Sequence, residues 1–177
     1  MGADIEVRAN IPTGDGGPTI GAVDLFCGIG GLTYGLRTSG IDVVAGFDLD
    51  GSCQYAYEAN NGQATFICKN VGEIKGEEIS ELLKNFDIKV LVGCAPCQPF
   101  STHRKDKKHR NLHKDWGLLA QFGRLAGEVM PDYISMENVP ELMKETVFTA
   151  FVASLDRLGY AVTYNVVRAE EYGVPQR

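Results

Sequence analysis

The sequence predicts an α/β fold: a doubly wound, mostly parallel sheet with helices on both faces. Two observations carry this. Short β-rich runs bounded by Gly, Asp or Pro alternate with helical stretches, and the runs are mostly apolar, as strands covered on both faces require. The segments between them are long enough for right-handed crossovers. In such a sheet ligands bind beyond the carboxyl ends of the strands, so the residues following each strand are where chemistry is sought.

Taken in order, the expected strands are 22–26, 43–47, 90–94, 133–136 and 162–167, and a helix is expected at about 32–38. Leu118, Leu119, Phe122, Leu125, Ala126, Val129 and Met130 mark one apolar helical stripe. Val147, Phe148, Phe151, Val152, Leu155 and Leu158 mark another, and both are read as core packing. Residues 1–19, with Pro12, Gly14, Gly16, Gly17 and Pro18, read as a flexible leader, and residues 20–177 as one domain. A chain of 177 residues, 44% of them hydrophobic, is expected to bury roughly two thirds of its unfolded surface.

No apolar run approaches the ~20 residues of a membrane span. Asp4, Glu6, Arg8 and Asp15 break up any signal-peptide centre. The expected location is intracellular: cytoplasmic in a bacterium, nuclear in a eukaryote. Five cysteines, Cys27, Cys53, Cys68, Cys94 and Cys97, are an odd number without an export signal, so free thiols are expected rather than a disulfide framework. A net charge of −6 argues against this chain alone gripping a phosphate backbone.

Directly after the first expected strand comes Asp24-Leu25-Phe26-Cys27-Gly28-Ile29-Gly30-Gly31-Leu32. Glycines here let the backbone turn sharply and approach a ligand with no Cβ in the way. Asp48 closes the second strand twenty residues past Gly28, where a carboxylate accepts hydrogen bonds from ribose hydroxyls. Turn and acid together suggest an adenosine-containing cofactor. A nicotinamide cofactor also fits, but Gly-x-Gly-Gly departs from the Gly-x-Gly-x-x-Gly dinucleotide fingerprint, which favours S-adenosylmethionine.

The strand 90–94 runs into Ala95-Pro96-Cys97-Gln98-Pro99-Phe100-Ser101. Cys97 has three alternative readings: a structural thiol, half of a Cys94-Ala95-Pro96-Cys97 redox pair, or a zinc ligand. The flanking prolines suggest a shaped loop rather than a structural thiol. A thioredoxin-like domain does not require the glycine turn upstream, and no second Cys-x-x-Cys or His pair completes a four-ligand zinc set, so no metal is expected. The remaining reading is a nucleophile, since a thiolate adds well to an electron-poor carbon. Glu137, delivered by the strand 133–136 in Glu137-Asn138-Val139-Pro140, supplies an acid at the same sheet edge.

These three segments together resemble the DNA (cytosine-5) methyltransferase family, with its Phe-x-Gly-x-Gly-Gly turn, Pro-Cys-Gln loop and Glu-Asn-Val triplet in this order. The resemblance runs from about Ala22 to Arg177 and implies the Rossmann-like fold of S-adenosylmethionine-dependent methyltransferases. It implies that Phe26 packs on the adenine, that Gly28, Gly30 and Gly31 shape the methionine pocket and that Asp48 holds the ribose. Ile29, Leu49 and Pro96 are also assigned to the cofactor. Asn70-Val71 stands where the family usually has an Asp beside an aliphatic residue at the adenine edge; an amide carbonyl still accepts there. Cys97 and Glu137 are implied as the catalytic pair acting on a cytosine flipped out of duplex DNA.

Between Ser101 and Trp116 lie Arg104, Lys105, Lys107, Lys108, Arg110 and Lys114 with three histidines, the most basic stretch of an acidic chain. In the resembled family the segment after the cysteine closes over DNA, so Gln98, Ser101, Arg104 and Asn138 are expected on the nucleic acid. Tyr172-Gly173-Val174-Pro175-Gln176-Arg177 resembles the opening of a further motif whose later arginine contacts the flipped base. The expectation is therefore a fold incomplete at its C-terminus: a fragment, or one subunit needing a complementing chain, of a restriction-modification type methylase. Two alternatives remain: a tRNA cytosine methyltransferase and a non-catalytic cofactor-binding partner.

Overall fold

The computed structural model describes residues 16–96 and 116–174. Five strands, β1 (Ile20–Leu25), β2 (Asp42–Asp48), β3 (Thr65–Cys68), β4 (Ile88–Gly93) and β5 (Tyr133–Met136), form one sheet in the order β3-β2-β1-β4-β5. Every pairing is parallel. The helices are α1 (Gly31–Thr38), α2 (Gln54–Asn61), α3 (Gly76–Leu82), α4 (Trp116–Val129) and α5 (Thr146–Arg157). The expected doubly wound parallel architecture is what the chain adopts.

Strand alternation explains why helices cover both faces. Val23 and Leu25 of β1 point into the larger core with Phe47, Ile79, Leu91, Phe122, Leu125 and Phe151, beneath α3, α4 and α5. Ala22 points the other way and packs with Val43, Val90 and Val92 against Leu32 and Leu36 of α1. On that side Tyr57 of α2, wholly buried, meets Cys27, Ala64 and Phe66. The register of β1 on β2 slips between Ala22 and Val23, whose partners are Val43 and Ala45. This bulge lets Ala45 and Phe47 share the larger core with Val23 and Leu25.

Both expected stripes are helices. In α4, Leu119, Phe122, Leu125 and Ala126 are buried, and the Phe122 and Phe151 rings meet at 5.8 Å across the α4–α5 contact. Met130, expected on the same stripe, follows the helix with φ 48° and is 52% exposed.

Two strand expectations need correcting. β3 was not expected: it is four residues long, begins on a threonine and lies at the sheet edge, so it shows too little apolar run to read. The run 162–167 is not a strand. Its alternation is real, since Tyr160 and Val162 pack on the core and the Tyr164 ring meets Phe148 edge-on at 5.1 Å. Among the described residues no strand pairs with it, however, and Val166 and Val167 stay 59% and 60% exposed. Alternation specifies a face; a strand also needs a ladder.

Candidate active site

β1 is the topological switch point: the chain steps outward from it to β2 and β3, then crosses to β4 and β5 on its other side. At the carboxyl ends of these strands lies a cleft of about 440 Å³ lined by Asp24, Phe26, Cys27, Leu32, Cys94 and Glu137. Phe26 of the glycine turn and Glu137 beyond β5 are thus brought to one cavity, as the sequence implied. Asp24, Cys27, Leu32 and Cys94 join them without having been singled out as site residues.

The turn after β1 is strained and braced. Phe26 has φ 60°, in the left-handed region that non-glycine residues rarely occupy. Gly30 has φ 87°, and a Cβ there would overlap the Asn61 side chain and stand 2.8 Å from a Tyr57 ring carbon. Glycine is therefore required twice over, by torsion and by space. Asn61, fully buried, donates through Nδ2 to the carbonyls of Tyr57 at 2.9 Å and Gly30 at 3.3 Å. α2 thereby holds the turn from behind.

Asp48 latches the turn from the side. Its Oδ2 accepts from the Gly28 N–H at 2.8 Å and its Oδ1 from the Asp50 N–H at 2.9 Å. Each carboxylate oxygen keeps acceptor capacity beyond these bonds. Ile29 and Leu49 are 63% and 69% exposed beside it. Asn70 follows β3 and accepts from the Gly72 N–H through Oδ1 at 2.9 Å, capping a short 3-10 turn. Val71 is 6% exposed and belongs to the larger core. Asp48, Leu49, Asn70 and Val71 do not line the cleft; they adjoin it at the ends of β2 and β3.

On the other side of the switch point, the Cys94 N–H reaches the Leu25 carbonyl at 3.3 Å and the Glu137 N–H reaches the Gly93 carbonyl at 3.2 Å. The Cys94 thiol donates to Glu137 Oε2 at 2.8 Å. Asn138 donates through Nδ2 to the Ala95 carbonyl at 2.9 Å, so its amide supports the backbone one residue before Pro96. Pro96 is half-buried at the edge of the described residues. Cys97, Gln98, Ser101, Arg104 and the rest of the basic stretch lie outside them, as do residues 175–177.

The electrostatics of the cleft are acidic. Asp24 is 1% exposed, and burial pushes its carboxyl up to about 7, with Asp48 adding repulsion and the Thr33 hydrogen bonds opposing the rise. Burial also pushes the Cys27 thiol and the Tyr57 phenol well up, so both stay neutral. The signal that could have marked Asp24 was visible: a charged residue inside an otherwise apolar strand. Among the described residues no group of three or more His, Cys, Asp and Glu side chains is gathered to hold a metal, and no helix is long and apolar enough to cross a membrane.

Comparison with known proteins agrees with this arrangement. The sequence is 51% identical over 162 residues to the Type II methylase M.HgiDII of Herpetosiphon aurantiacus, covering 89% of this chain and 45% of that protein. A solved structure described as a candidate DNA modification methyltransferase from an E. coli prophage superposes with a TM-score of 0.65 at 26% identity, over 78% of this chain and 38% of that one. A mutant DNMT2 of Spodoptera frugiperda superposes with a TM-score of 0.57, also at 26% identity, over 78% of this chain and 41% of its own. The chain thus spans less than half the length of each of these proteins. The sequence model for C-5 cytosine-specific DNA methylases matches residues 20–177, and with the fold and cleft described above the chain belongs to that family.

Proposed function

We propose that this chain carries the cofactor-binding and catalytic core of an enzyme that methylates C5 of cytosine in DNA, with S-adenosylmethionine as the methyl donor. The observation that carries this reading is the cleft at the switch point, where Phe26 of the glycine turn shares a lining with Glu137 and with Cys94 of the segment leading to Cys97. The residues present suit the cofactor: a glycine cradle with no room for a Cβ at Gly30, an acid at the end of β2, and a buried carboxylate oxygen of Asp24 with no hydrogen-bond partner.

Bound there, S-adenosylmethionine supplies an electrophilic methyl group on a sulfonium. Phe26 would pack on the adenine, Asp48 hold the ribose and Gly28, Gly30 and Gly31 shape the methionine end, with Asn70-Val71 at the adenine edge, Ile29 and Leu49 also serving the cofactor and Pro96 between cofactor and base. A cytosine flipped from the duplex, at a cost of a few kcal/mol, is attacked at C6 by the Cys97 thiolate. Glu137, in its protonated form, donates to N3 and limits charge on the ring. C5 then takes the methyl group with release of S-adenosylhomocysteine, the C5 proton passes to water, and expulsion of the Cys97 thiolate, with the N3 proton returned to Glu137, restores the aromatic ring. Gln98, Ser101 and Arg104 serve the DNA, and Asn138 supports the loop that carries the thiol. Duplex DNA is the substrate, and because the chain spans less than half the length of its relatives, target recognition is assigned to a complementing polypeptide. The bacterial cytoplasm is where such a modification enzyme works.

Trapping on 5-fluorocytosine duplex DNA tests the reading. A covalent adduct that requires S-adenosylmethionine and is lost in Cys97→Ala is expected. Absence of an adduct on DNA under any complementation, or an adduct formed only on RNA, would overturn it. Efficient site-specific methylation by residues 1–177 alone would remove the complementing chain from the proposal.

A further inference from the structure

Arg124 lies midway along α4 and is not among the residues that line the cleft, yet its guanidinium reaches the segment that follows β3. Nη2 donates to two backbone carbonyls, Val71 at 3.1 Å and Ile74 at 3.0 Å, which bracket the 3-10 turn Val71–Glu73. Nε donates to Gln121 at 2.7 Å and Nη1 to Glu128 at 2.6 Å, both on its own helix. The planar fork is thus steadied by α4 along one side and grips the turn with the other. Glu128 adds a second hold: its other oxygen accepts from the Gly76 N–H at 2.8 Å. A Cβ at Gly76 would stand 2.5 Å from Glu128 Cβ, so α3 begins pressed directly against α4.

A partly exposed ion pair such as Arg124 with Glu128 contributes little by itself. The destination of Nη2 matters more. The Val71 carbonyl belongs to the same peptide unit as the Gly72 N–H, and that N–H is the one Asn70 Oδ1 accepts at 2.9 Å. The unit is planar, so holding its oxygen fixes the direction of its hydrogen. A hydrogen bond on one side of it also strengthens the one on the other. The side chains of Arg124 and Asn70 are therefore joined through a single peptide plane.

We propose that Arg124 is a positioning residue for the purine of the cofactor: acting from α4 through the Val71–Gly72 peptide, it locks the Asn70 amide in one orientation. This rests on the S-adenosylmethionine reading, in which Asn70 stands at the adenine edge. A carboxamide has a carbonyl on one side and an NH2 on the other, and turning it over exchanges acceptor for donor. Adenine offers a 6-amino donor beside the N1 acceptor, whereas hypoxanthine offers a 6-oxo acceptor beside an N1–H donor. A locked amide tells the two apart; an amide free to turn over accepts either.

Calorimetric titration of the protein with S-adenosylhomocysteine and with S-inosylhomocysteine provides the test. The wild-type protein is expected to prefer the adenine ligand by about tenfold or more. Arg124→Met removes the grip on both carbonyls and is expected to reduce the preference to about threefold or less, with the inosine ligand bound within about twofold of wild type. Arg124→Lys keeps the charge but not the fork and is expected to behave the same way. Glu128→Gln weakens the ion pair and leaves Nη2 in place, so the wild-type preference should persist. A loss of stability in urea with the preference unchanged in Arg124→Met, or an equal fall in Glu128→Gln, overturns the proposal. Should Arg124→Met not fold, Arg124→Lys decides, and a wild-type preference in it overturns the proposal too. Equal binding of both ligands by the wild-type protein overturns it as well, whereas failure to bind either overturns the cofactor reading itself.

Discussion

The Cys94 thiol and the Glu137 carboxylate are hydrogen-bonded at 2.8 Å, joining the ends of β4 and β5 side chain to side chain. The bond aims an otherwise exposed carboxylate at the cleft that both residues line. Glu137→Gln keeps the shape and removes the acid, so turnover is expected to fall by about 10²–10⁴. S-adenosylhomocysteine affinity should stay within about twofold of wild type. Cys94→Ala removes the thiol that aims Glu137 and should cost about tenfold, with Cys94→Ser nearer to wild type. Single-turnover methyl transfer measures all three.

Asn138 lies one residue further on and holds the Ala95 carbonyl. Asn138→Ala leaves that carbonyl without its donor, which should destabilise the protein by about 1–2 kcal/mol in urea unfolding. The same variant should slow covalent trapping on 5-fluorocytosine DNA, because the backbone leading to Cys97 loses its support. Trapping at the wild-type rate would confine Asn138 to stability.

Gly30→Ala meets two obstacles, a φ of 87° and the side chains of Asn61 and Tyr57. Together they should cost about 2–4 kcal/mol. Nucleoside binding should be lost even in preparations that remain folded by circular dichroism.

Phe122 fills the larger core, touches the Phe151 ring and stands where a Cβ on Gly93 would meet its edge at 3.1 Å. Phe122→Ala is expected to lower stability by about 3–5 kcal/mol. It should also weaken methyl transfer at temperatures where the variant is still folded, since Gly93 precedes Cys94 and accepts from Glu137.

Asp24 gives stability an unusual pH dependence. Its carboxyl, ordinarily at 3.8, is raised to about 7 in the folded protein, so between these values the folded state holds a proton that the unfolded state has lost. Its contribution to stability is therefore full below pH 4 and declines as pH rises to about 7, by up to about 4 kcal/mol. Other carboxyls, such as Glu78 and Glu128, are held below the usual range by hydrogen bonds to Lys69 and Arg124 and work in the opposite sense in acid. The difference between wild type and Asp24→Asn isolates the effect: in the ligand-free protein, wild type should lose stability relative to the variant from pH 4.5 to pH 7.5. A flat difference curve would mean Asp24 is ionised throughout.

Most of the sheet was legible because β1, β2, β4 and β5 are apolar runs ended by Gly, Asp or acidic turns, and strands buried on both faces leave that mark. β3 left none, being short and at the edge, and 162–167 left a false one, since alternation records burial against α5 and not the presence of a partner strand. The same division holds in the site. Glycines and the Glu137 acid are readable from position alone. Asp24 was readable only as a charged residue in an apolar strand; what distinguishes it, an oxygen with no partner, emerges when Thr33 is seen to bond the other one.

The strand order also has a consequence for how such a protein is divided. Residues 20–71 build β1 to β3 and the glycine turn; residues 88–139 include β4, β5 and the strand ends that bring Cys94 and Glu137 to the cleft. Each half is an unbroken stretch of sequence, and within the sheet they meet along one ladder, from Ile20 with Ile88 to Leu25 with Gly93. That ladder is a natural seam for recombination: a chimera joined between α3 and β4 exchanges the β4–β5 side of the cleft while keeping the glycine turn and its bracing by α2 intact.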